Sequence, residues 1–355
     1  MNPLTYARPH TVADAAAAIA GNTDASTHPS RIPLRVLAGG TNLVDLMKLG
    51  IMRPQGLLDI NRLPLDAIEG NTGGGLRLGA LARNADTAYH PDVARRYPLL
   101  RAAILAGASP QIRNMASNGG NLLQRTRCAY FYDSATPCNK RIPGSGCSAI
   151  GGLTKYHAIL GASVHCIATH PSDMCVALAA LDAVVQVESA RGSRQIVFSE
   201  FHRLPGDHPE RDNTLEPDEL ITHIDLPDAD RFAKHSAYLK IRERLSYAFG
   251  LASVAAALDL DGDGRIREAR IAVGGVAHKP WRRPEAEALL VGERPSRDAF
   301  SRAAETLLAG AESQGENAFK IPLAHRLVVR ALDVAAAGTV DNSGDPFDAP
   351  PETSP

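Results

Sequence analysis

The chain has 355 residues, with 38 Lys and Arg against 39 Asp and Glu and 44% hydrophobic residues. That length suits two or three domains with a substantial core, and the balanced charge excludes a nucleic-acid-binding field and a polybasic membrane patch. No stretch approaches the roughly 18 uninterrupted apolar residues of a membrane-spanning helix, and the opening MNPLTYARPHTVADAAAAIAG carries Pro, Arg and His before its short alanine run, so no secretory signal is expected.

In chain order, Thr11 as N-cap and Gly21 just past the alanine run predict a helix over VADAAAAIA. A polar loop, GNTDASTHPSR, leads to a short strand ending at LAGGTN, a helix LVDLMKLG closed by Gly50, and a strand LLDIN. Residues 1–60 therefore read as one small α/β lobe. A glycine hairpin in IEGNTGGGLRLGA follows, then helices around NADTAYH and PLLRAAILAGA, the loop SPQIRNMASNGGN, a cysteine-bearing segment, and strands HAILGASVHCIA and AVVQVE. This is a second, larger α+β lobe over residues 61–215. The polar, proline-rich stretch LPGDHPERDNTLEPDE, residues 204–219, is expected to be the linker to a third unit. That unit, residues 220–337, reads as strands AYLKIRER, SVAAALDL and EARIAVGGV followed by helices from Arg283 to Ala337. The acidic, proline-rich end, residues 338–355, has little to bury and is expected to be a disordered tail. The fold class is α+β.

Three constellations carry chemistry. Ala38, Gly39, Gly40, Thr41 and Asn42 stand at a strand-to-helix junction, where glycines let backbone amides converge on an anion and the helix N-terminus adds positive charge. The pattern is neither GxGxxG nor GxxxxGK[ST], so neither a Rossmann nor a P-loop site is licensed. Gln111 to Asn114 lead into a second small, amide-rich turn, Ser117, Asn118, Gly119, Gly120 and Asn121, and two such turns suit the two ends of one pyrophosphate. The third constellation is Cys128, Cys138, Cys147 and Cys166, with nine, eight and eighteen residues between successive members. Their loop is rich in Pro, Gly, Ser and Arg and has no apolar periodicity of its own, so something must staple it. An odd total of five cysteines argues against a disulfide framework and for thiolate ligands. The spacing lacks the paired C-x-x-C knuckles of structural zinc, although four thiolates also suit zinc, and iron–sulfur clusters accept irregular spacing. Iron–sulfur, zinc, and unligated or disulfide-bonded cysteines all remain open on spacing alone. The fifth, Cys175, lies on the apolar face of a predicted helix and reads as core.

The segments LAGGTNLVDLMK, QIRNMASNGGN, HPSDMCVALAALDA, AYLKIRERLSYAFGLASVAAAL and IAVGGVAHKPWR, in this order, resemble the FAD-binding medium subunit of the xanthine dehydrogenase family of molybdenum hydroxylases. The cysteine segment RTRCAYFYDSATPCNKRIPGSGC with HCIATHPSD is similar to the branch of bacterial aldehyde oxidoreductases whose insert binds a [4Fe-4S] cluster; 4-hydroxybenzoyl-CoA reductase carries a comparable one. The resemblance implies a two-lobed FAD-binding domain of the PCMH-like type, with an iron–sulfur insert at about 122–166, and a C-terminal α+β domain with a small antiparallel sheet. It implies that Ala38 to Asn42 and Ser117 to Asn121 wrap the FAD pyrophosphate. Asp173 would hydrogen-bond the cofactor, Lys240 would lie near the flavin pyrimidine edge, and Cys128, Cys138, Cys147 and Cys166 would ligate the cluster. Asp173 as an N-cap and Lys240 as a solvated strand residue are the plainer readings. Asn118 departs from the apolar residue usual before the Gly-Gly pair, and a polar side chain there would either reach the cofactor or loosen the turn.

The implied activity is electron transfer from a [2Fe-2S] small subunit through FAD to an external acceptor, with substrate hydroxylation at the molybdenum cofactor of a large subunit. The implied compartment is the cytoplasm, or the periplasm by co-export with a partner. The alternatives are a self-sufficient FAD oxidoreductase of the same fold and a non-enzymatic, zinc-stapled binding module. DLDGDGRIREAR places Asp259, Asp261, Asp263 and Gly264 as a calcium loop would, but Arg270 occupies the position of the bidentate carboxylate, so the segment is expected to be a hairpin turn. No HExxH pair or G-x-S-x-G signature is present.

Overall fold

The computed structural model of the chain describes residues 3–22 and 32–339. Most of the polar loop after the first helix and the acidic end from residue 340 lie outside the described residues. The first lobe is built on a parallel sheet of β1 (Thr5–Ala7), β2 (Leu34–Leu37) and β3 (Gly56–Asp59), in the order β1-β3-β2. Successive residues of the central strand point to opposite faces: Leu58 packs with Ala15 and Ile19, and Leu57 with Leu46 and Met47. Thr11 caps the helix Val12–Ala20 reciprocally with Asp14, at 3.0 Å in each direction. β1 was not legible in the sequence, since three exposed residues carry no periodicity.

The second lobe holds an antiparallel sheet of β4 (Ile68–Gly70), β5 (Leu76–Gly79), β6 (Val184–Ser189), β7 (Gly192–Val197) and β8 (Leu220–Leu226), in the order β4-β5-β8-β6-β7. Because β8 pairs with both β5 and β6, the stretch 204–219 connects two parts of the second lobe. The expected start of the third unit at residue 220 is corrected accordingly. HAILGASVHCIA also departs from expectation: it forms no strand, and only an isolated bridge joins Ser163 to Cys166. Gly161 at φ +60° turns the chain there, and the amides of Ile159 and Leu160 instead donate to Val276 O at 2.9 and 3.0 Å.

The third sheet, β9 (Ser236–Ile241), β10 (Ala252–Leu260) and β11 (Ile266–Gly274), is antiparallel in the order β11-β10-β9. β10 is buried on both faces. Ala255 and Ala257 pack with the helix Asp173–Ala180, where small side chains permit close approach, while Val254, Ala256 and Leu258 pack with the helices Arg297–Leu307 and Lys320–Ala337. The calcium-like segment is the β10–β11 turn, with Gly264 at φ +73° and Asp261 accepting the amides of Asp263 and Arg265 at 2.9 Å. The expected disorder does not begin at residue 338: the Thr339 amide donates to Lys234 O at 2.7 Å and its hydroxyl to Ala233 O at 2.8 Å. Among the described residues no helix is long and apolar enough to cross a membrane.

Cys175 is fully buried on the helix Asp173–Ala180, as core. One ring nitrogen of His170, one of His202 and the Cys175 sulfur lie within 4.8 Å of one another. Their partners assign the tautomers. His202 Nε2 donates to Leu122 O at 2.9 Å, which leaves Nδ1 as a lone pair, whereas His170 Nδ1 accepts the Ser172 amide at 3.4 Å, which puts the proton on Nε2. Only His202 thus keeps a lone pair without a partner, and the trio packs as neutral core. Burial pushes His202 down to about 4 and His170 well below the ordinary value of 6.5. A depressed histidine binds its proton more readily unfolded, so its stabilising effect is lost as pH falls through the unfolded value. These two histidines should make the melting temperature fall as pH drops from about 6.5 to 4. His202→Gln should reduce that slope, and an unchanged slope in the variant would contradict the assignment.

Candidate functional site

The lobes enclose a cleft of about 1480 Å³, larger than the roughly 300–1,000 Å³ of drug-sized sites and long enough for an extended dinucleotide. Its first wall is the turn Ala38–Asn42, between β2 and the helix Leu43–Lys48. Gly40 adopts φ +73°, a left-handed conformation that suits glycine. At Gly39 a Cβ would collide with the Met115 carbonyl, so the two turns meet backbone to backbone. Asn61 and Arg83 bracket that contact: Asn61 Nδ2 donates to Ala38 O at 2.9 Å, and Arg83 donates to Met115 O at 2.9 Å and to Asn61 Oδ1 at 3.0 Å. Among the described residues the N–H groups of Gly39, Gly40, Thr41 and Asn42 have no acceptor. Four free amides at the end of a strand are what an anionic group requires.

The second turn is different. The Asn118 and Gly119 amides donate to Ala82 O and Ala80 O at 2.9 and 2.8 Å, and Gly120 donates to Ser117 Oγ at 3.3 Å. Ser117, Gly119, Gly120 and Asn121 line the cleft, but these amides are already satisfied. Asn118 does neither of the things expected of it. Its side chain is fully buried away from the cleft, accepting from Asn84 and Thr87 at 3.0 and 3.1 Å and donating to Gly79 O at 3.3 Å, and this braces the turn.

The far end of the cleft holds Asp173 and Lys240. Lys240 Nζ donates to Asp173 Oδ2 at 2.7 Å and to Ala106 O at 3.0 Å, and Tyr238 donates to Asp173 Oδ1 at 2.6 Å. The Lys240 side chain is 3% exposed, which rules out a solvated strand lysine. Asp173 is the first residue of its helix; Ser172 is the cap, accepting the Cys175 amide at 3.0 Å.

Sequence reasoning missed a set of arginines on the wall near the first turn. Arg35 Nη2 is buried without a partner among the described residues, and burial, then Arg125, pushes the guanidinium down to about 9. Asn42 Nδ2 and Arg127 Nε are likewise buried and unpartnered. Unsatisfied donors facing one cavity fit an anionic cofactor. They escaped notice because an arginine in the strand LRVL carries no motif.

The cysteine segment forms the remaining wall. All four cysteines are free thiols, and Cys138 and Cys147 face each other across an isolated bridge. Burial pushes Cys128 up to about 12, with amides of Phe131 and Tyr130 opposing and Cys138 and Cys166 adding. Cys166 is raised by burial too, opposed by Lys140 and reinforced by Cys147 and Cys138. Four thiols in one segment, two of them facing each other across a bridge, are the donor type that a thiolate-bound centre takes. Cys166 stands in an irregular stretch and not on the strand expected for it.

The residues that knit this segment are the three after Cys138. Asn139 donates to His165 O at 3.0 Å and accepts the Gly146 amide at 2.8 Å, which joins the neighbours of Cys166 and Cys147. Lys140 reaches Pro209 O and Asp212 Oδ1 at 2.5 Å and His278 Nε2 at 2.6 Å. Arg141 donates to the carbonyls of Tyr130 and Phe131 at 2.8 Å, which closes the loop onto the Cys128 turn. The stretch expected as a linker therefore supplies a part-buried carboxylate, Asp212, which Arg125 and Lys140 hold well below the usual range. Finally, Asn42 Oδ1 accepts the Arg125 amide at 2.9 Å, so the first turn and the cysteine segment share a residue.

Residues 2–229 match the FAD binding domain in molybdopterin dehydrogenase, and residues 236–335 match the CO dehydrogenase flavoprotein C-terminal domain. The chain is 48% identical over 339 residues to the aldehyde oxidoreductase FAD-binding subunit PaoB of Escherichia coli (strain K12), covering 95% of this chain and 99% of that one. It is 27% identical over 307 residues to the glyceraldehyde dehydrogenase medium chain of Sulfolobus acidocaldarius, covering 85% and 90%. The structure of carbon monoxide dehydrogenase from Hydrogenophaga pseudoflava aligns with a TM-score of 0.72 at 25% identity, covering 95% and 98%. With both domains matched in order over a cleft suited to a dinucleotide, the chain belongs to the family of FAD-binding subunits of the molybdenum hydroxylases.

Proposed function

We propose that this chain carries FAD and a [4Fe-4S] cluster as the electron-transfer subunit of a molybdenum-dependent aldehyde oxidoreductase. Electrons arrive from a [2Fe-2S] partner subunit and leave to an external acceptor, and substrate hydroxylation belongs to a large partner subunit holding the molybdenum cofactor. The observation that carries this reading is the shared wall: the turn with four free amides and the four-cysteine segment meet at Asn42 and Arg125. The similarity to an aldehyde oxidoreductase subunit supports the substrate class, while the cluster rests on the cysteines of this chain.

In this reading the amides of Gly39 to Asn42, with Arg35, take the FAD pyrophosphate, and Ser117, Gly119, Gly120 and Asn121 form the opposite wall, braced from behind by Asn118. Lys240, held by Asp173, lies near the pyrimidine edge. Bound flavin supplies one- and two-electron chemistry, and its reduced form carries negative charge that a buried ammonium stabilises. Cys128, Cys138, Cys147 and Cys166 ligate the cluster. The unit boundaries then follow the chemistry: a first lobe bearing the amide turn, a second bearing the cysteines, and a C-terminal domain from β9 onward bearing Lys240.

Gly39→Ala must displace the Met115 backbone, so the purified protein should lose most of its flavin, whereas Gly70→Ala, with open space around it, should keep a full complement. Full flavin in soluble Gly39→Ala would contradict the assignment of this turn. For the cluster, iron content and broad visible absorption should be measured in five single Cys→Ser variants of the complex. Cys128, Cys138, Cys147 and Cys166 variants should lose the cluster, and Cys175→Ser should keep it at a cost of about 1–2 kcal/mol in stability. Zinc in place of iron, or loss of iron from Cys175→Ser, would refute the ligand set.

A further inference from the structure

Asp59 closes β3 directly across from Leu37, the last residue of β2 before the first turn. Its carboxylate is buried and receives donors on both oxygens. Oδ1 accepts the Asn61 amide at 3.0 Å and Asn61 Nδ2 at 2.7 Å; Oδ2 accepts the Tyr6 hydroxyl and, at 3.0 Å, Arg8 Nε. A carboxylate offers about four lone pairs and no proton, so this one is filled. Burial raises the Asp59 carboxyl, and the bonds from Tyr6, Asn61 and Arg8 outweigh it, bringing the group down to about 2. Near neutral pH it is therefore an anion.

The consequence falls on Asn61, whose side chain has one donating and one accepting end. Nδ2 also donates to Ala38 O at 2.9 Å, and Oδ1 accepts from Arg83 Nη2 at 3.0 Å. An ionised Asp59 can only accept and Arg83 can only donate, so the two charges allow one orientation of this amide. Flipped, it would turn its oxygen on both Asp59 and Ala38 O. The Ala38 carbonyl and the Gly39 N–H belong to one planar trans peptide and point in opposite directions. Holding that carbonyl therefore aims the Gly39 N–H, the first of the four amides without an acceptor among the described residues.

We propose that Asp59 is a positioning residue for FAD: it locks the Asn61 side chain, which holds the Ala38 carbonyl and so aims the Gly39 N–H at the pyrophosphate. Tyr6 and Arg8 extend this relay to the exposed N-terminal strand β1. The inference rests on the reading of Ala38 to Asn42 as the pyrophosphate turn.

The test is a fluorescence titration of FAD onto the flavin-depleted full-length protein, with the melting temperature measured alongside. Asp59→Asn has to turn its amino group on either Asn61 Nδ2 or Arg8 Nε, so it should raise the FAD dissociation constant about tenfold. Asn61→Ala should raise it at least as far. Because Asp59 acts through Asn61, the double variant should bind FAD no more weakly than Asn61→Ala alone. Tyr6→Phe, which removes one donor from the exposed end, should raise the constant in the parent but not in Asn61→Ala, and it keeps the test decisive if Asp59→Asn folds poorly. A purely structural carboxylate would lower the melting temperature and leave the affinity of the folded protein in place. Unchanged affinity in Asn61→Ala, unchanged affinity in both Asp59→Asn and Tyr6→Phe, or additive losses in the double variant would overturn the proposal and leave the turn assignment intact. Full flavin in soluble Gly39→Ala would instead sink the turn assignment, and this inference with it.

Discussion

In this protein the backbone of Gly39 lies so close to the Met115 carbonyl that no side chain can stand between them. That contact joins a small parallel lobe to a larger antiparallel one, and its position fixes the width of the cleft. Everything around it serves the same end. Asn61 and Arg83 take up the two carbonyls that the approach leaves facing each other, and Asn118 braces the second turn from behind. The first turn keeps its amides free because its strand ends there and Asn61 and Arg83 donate to the carbonyls at the contact, so the cleft has one donor-rich wall and one satisfied wall.

The cysteine segment solves a different problem, that of holding more than forty residues in place with almost no regular structure. Neither its helix Ala129–Tyr132 nor its isolated bridges bury enough apolar surface to do so. Polar contacts do it instead: Asn139, Lys140 and Arg141 each reach a different part of the chain, and Lys140 reaches Pro209, Asp212 and, in the segment after β11, His278. A network of this kind is specific in geometry but weak as a source of stability, because buried ion pairs give back much of their attraction as desolvation. The thiolate-bound centre proposed above would supply a cross-link that such a network lacks.

Much of this was legible in the chain. LAGGTN announces a backbone turn, SNGGN forms the Ser117-capped start of the short helix Asn118–Leu122, and the near-continuous apolar run in ASVAAALDL fits a strand covered on both faces. The cysteines were visible as a set, and Cys175 stood apart by its helical, apolar surroundings. What could not be read was long-range polarity. Asp212 in a proline-rich stretch looks like solvated linker until Lys140, 72 residues earlier, is brought against it, and HAILGASVHCIA has strand composition but meets Val276 through its edge amides instead of a strand partner. Nor did any pattern mark the amides of the second turn as already bonded, since their acceptors, Ala80 and Ala82, are carbonyls that any residue supplies.

For a cluster bound as proposed, coupling to flavin binding runs through the joints where Asn42 receives the Arg125 amide and where Asn121 accepts from Ser172 at 2.6 Å. It is tested most directly by the FAD dissociation constant of the complex as purified, after iron is removed anaerobically with a chelator, and after iron and sulfide are restored. FAD binding should weaken on removal and recover on restoration. An FAD dissociation constant that stays the same through all three states would contradict it.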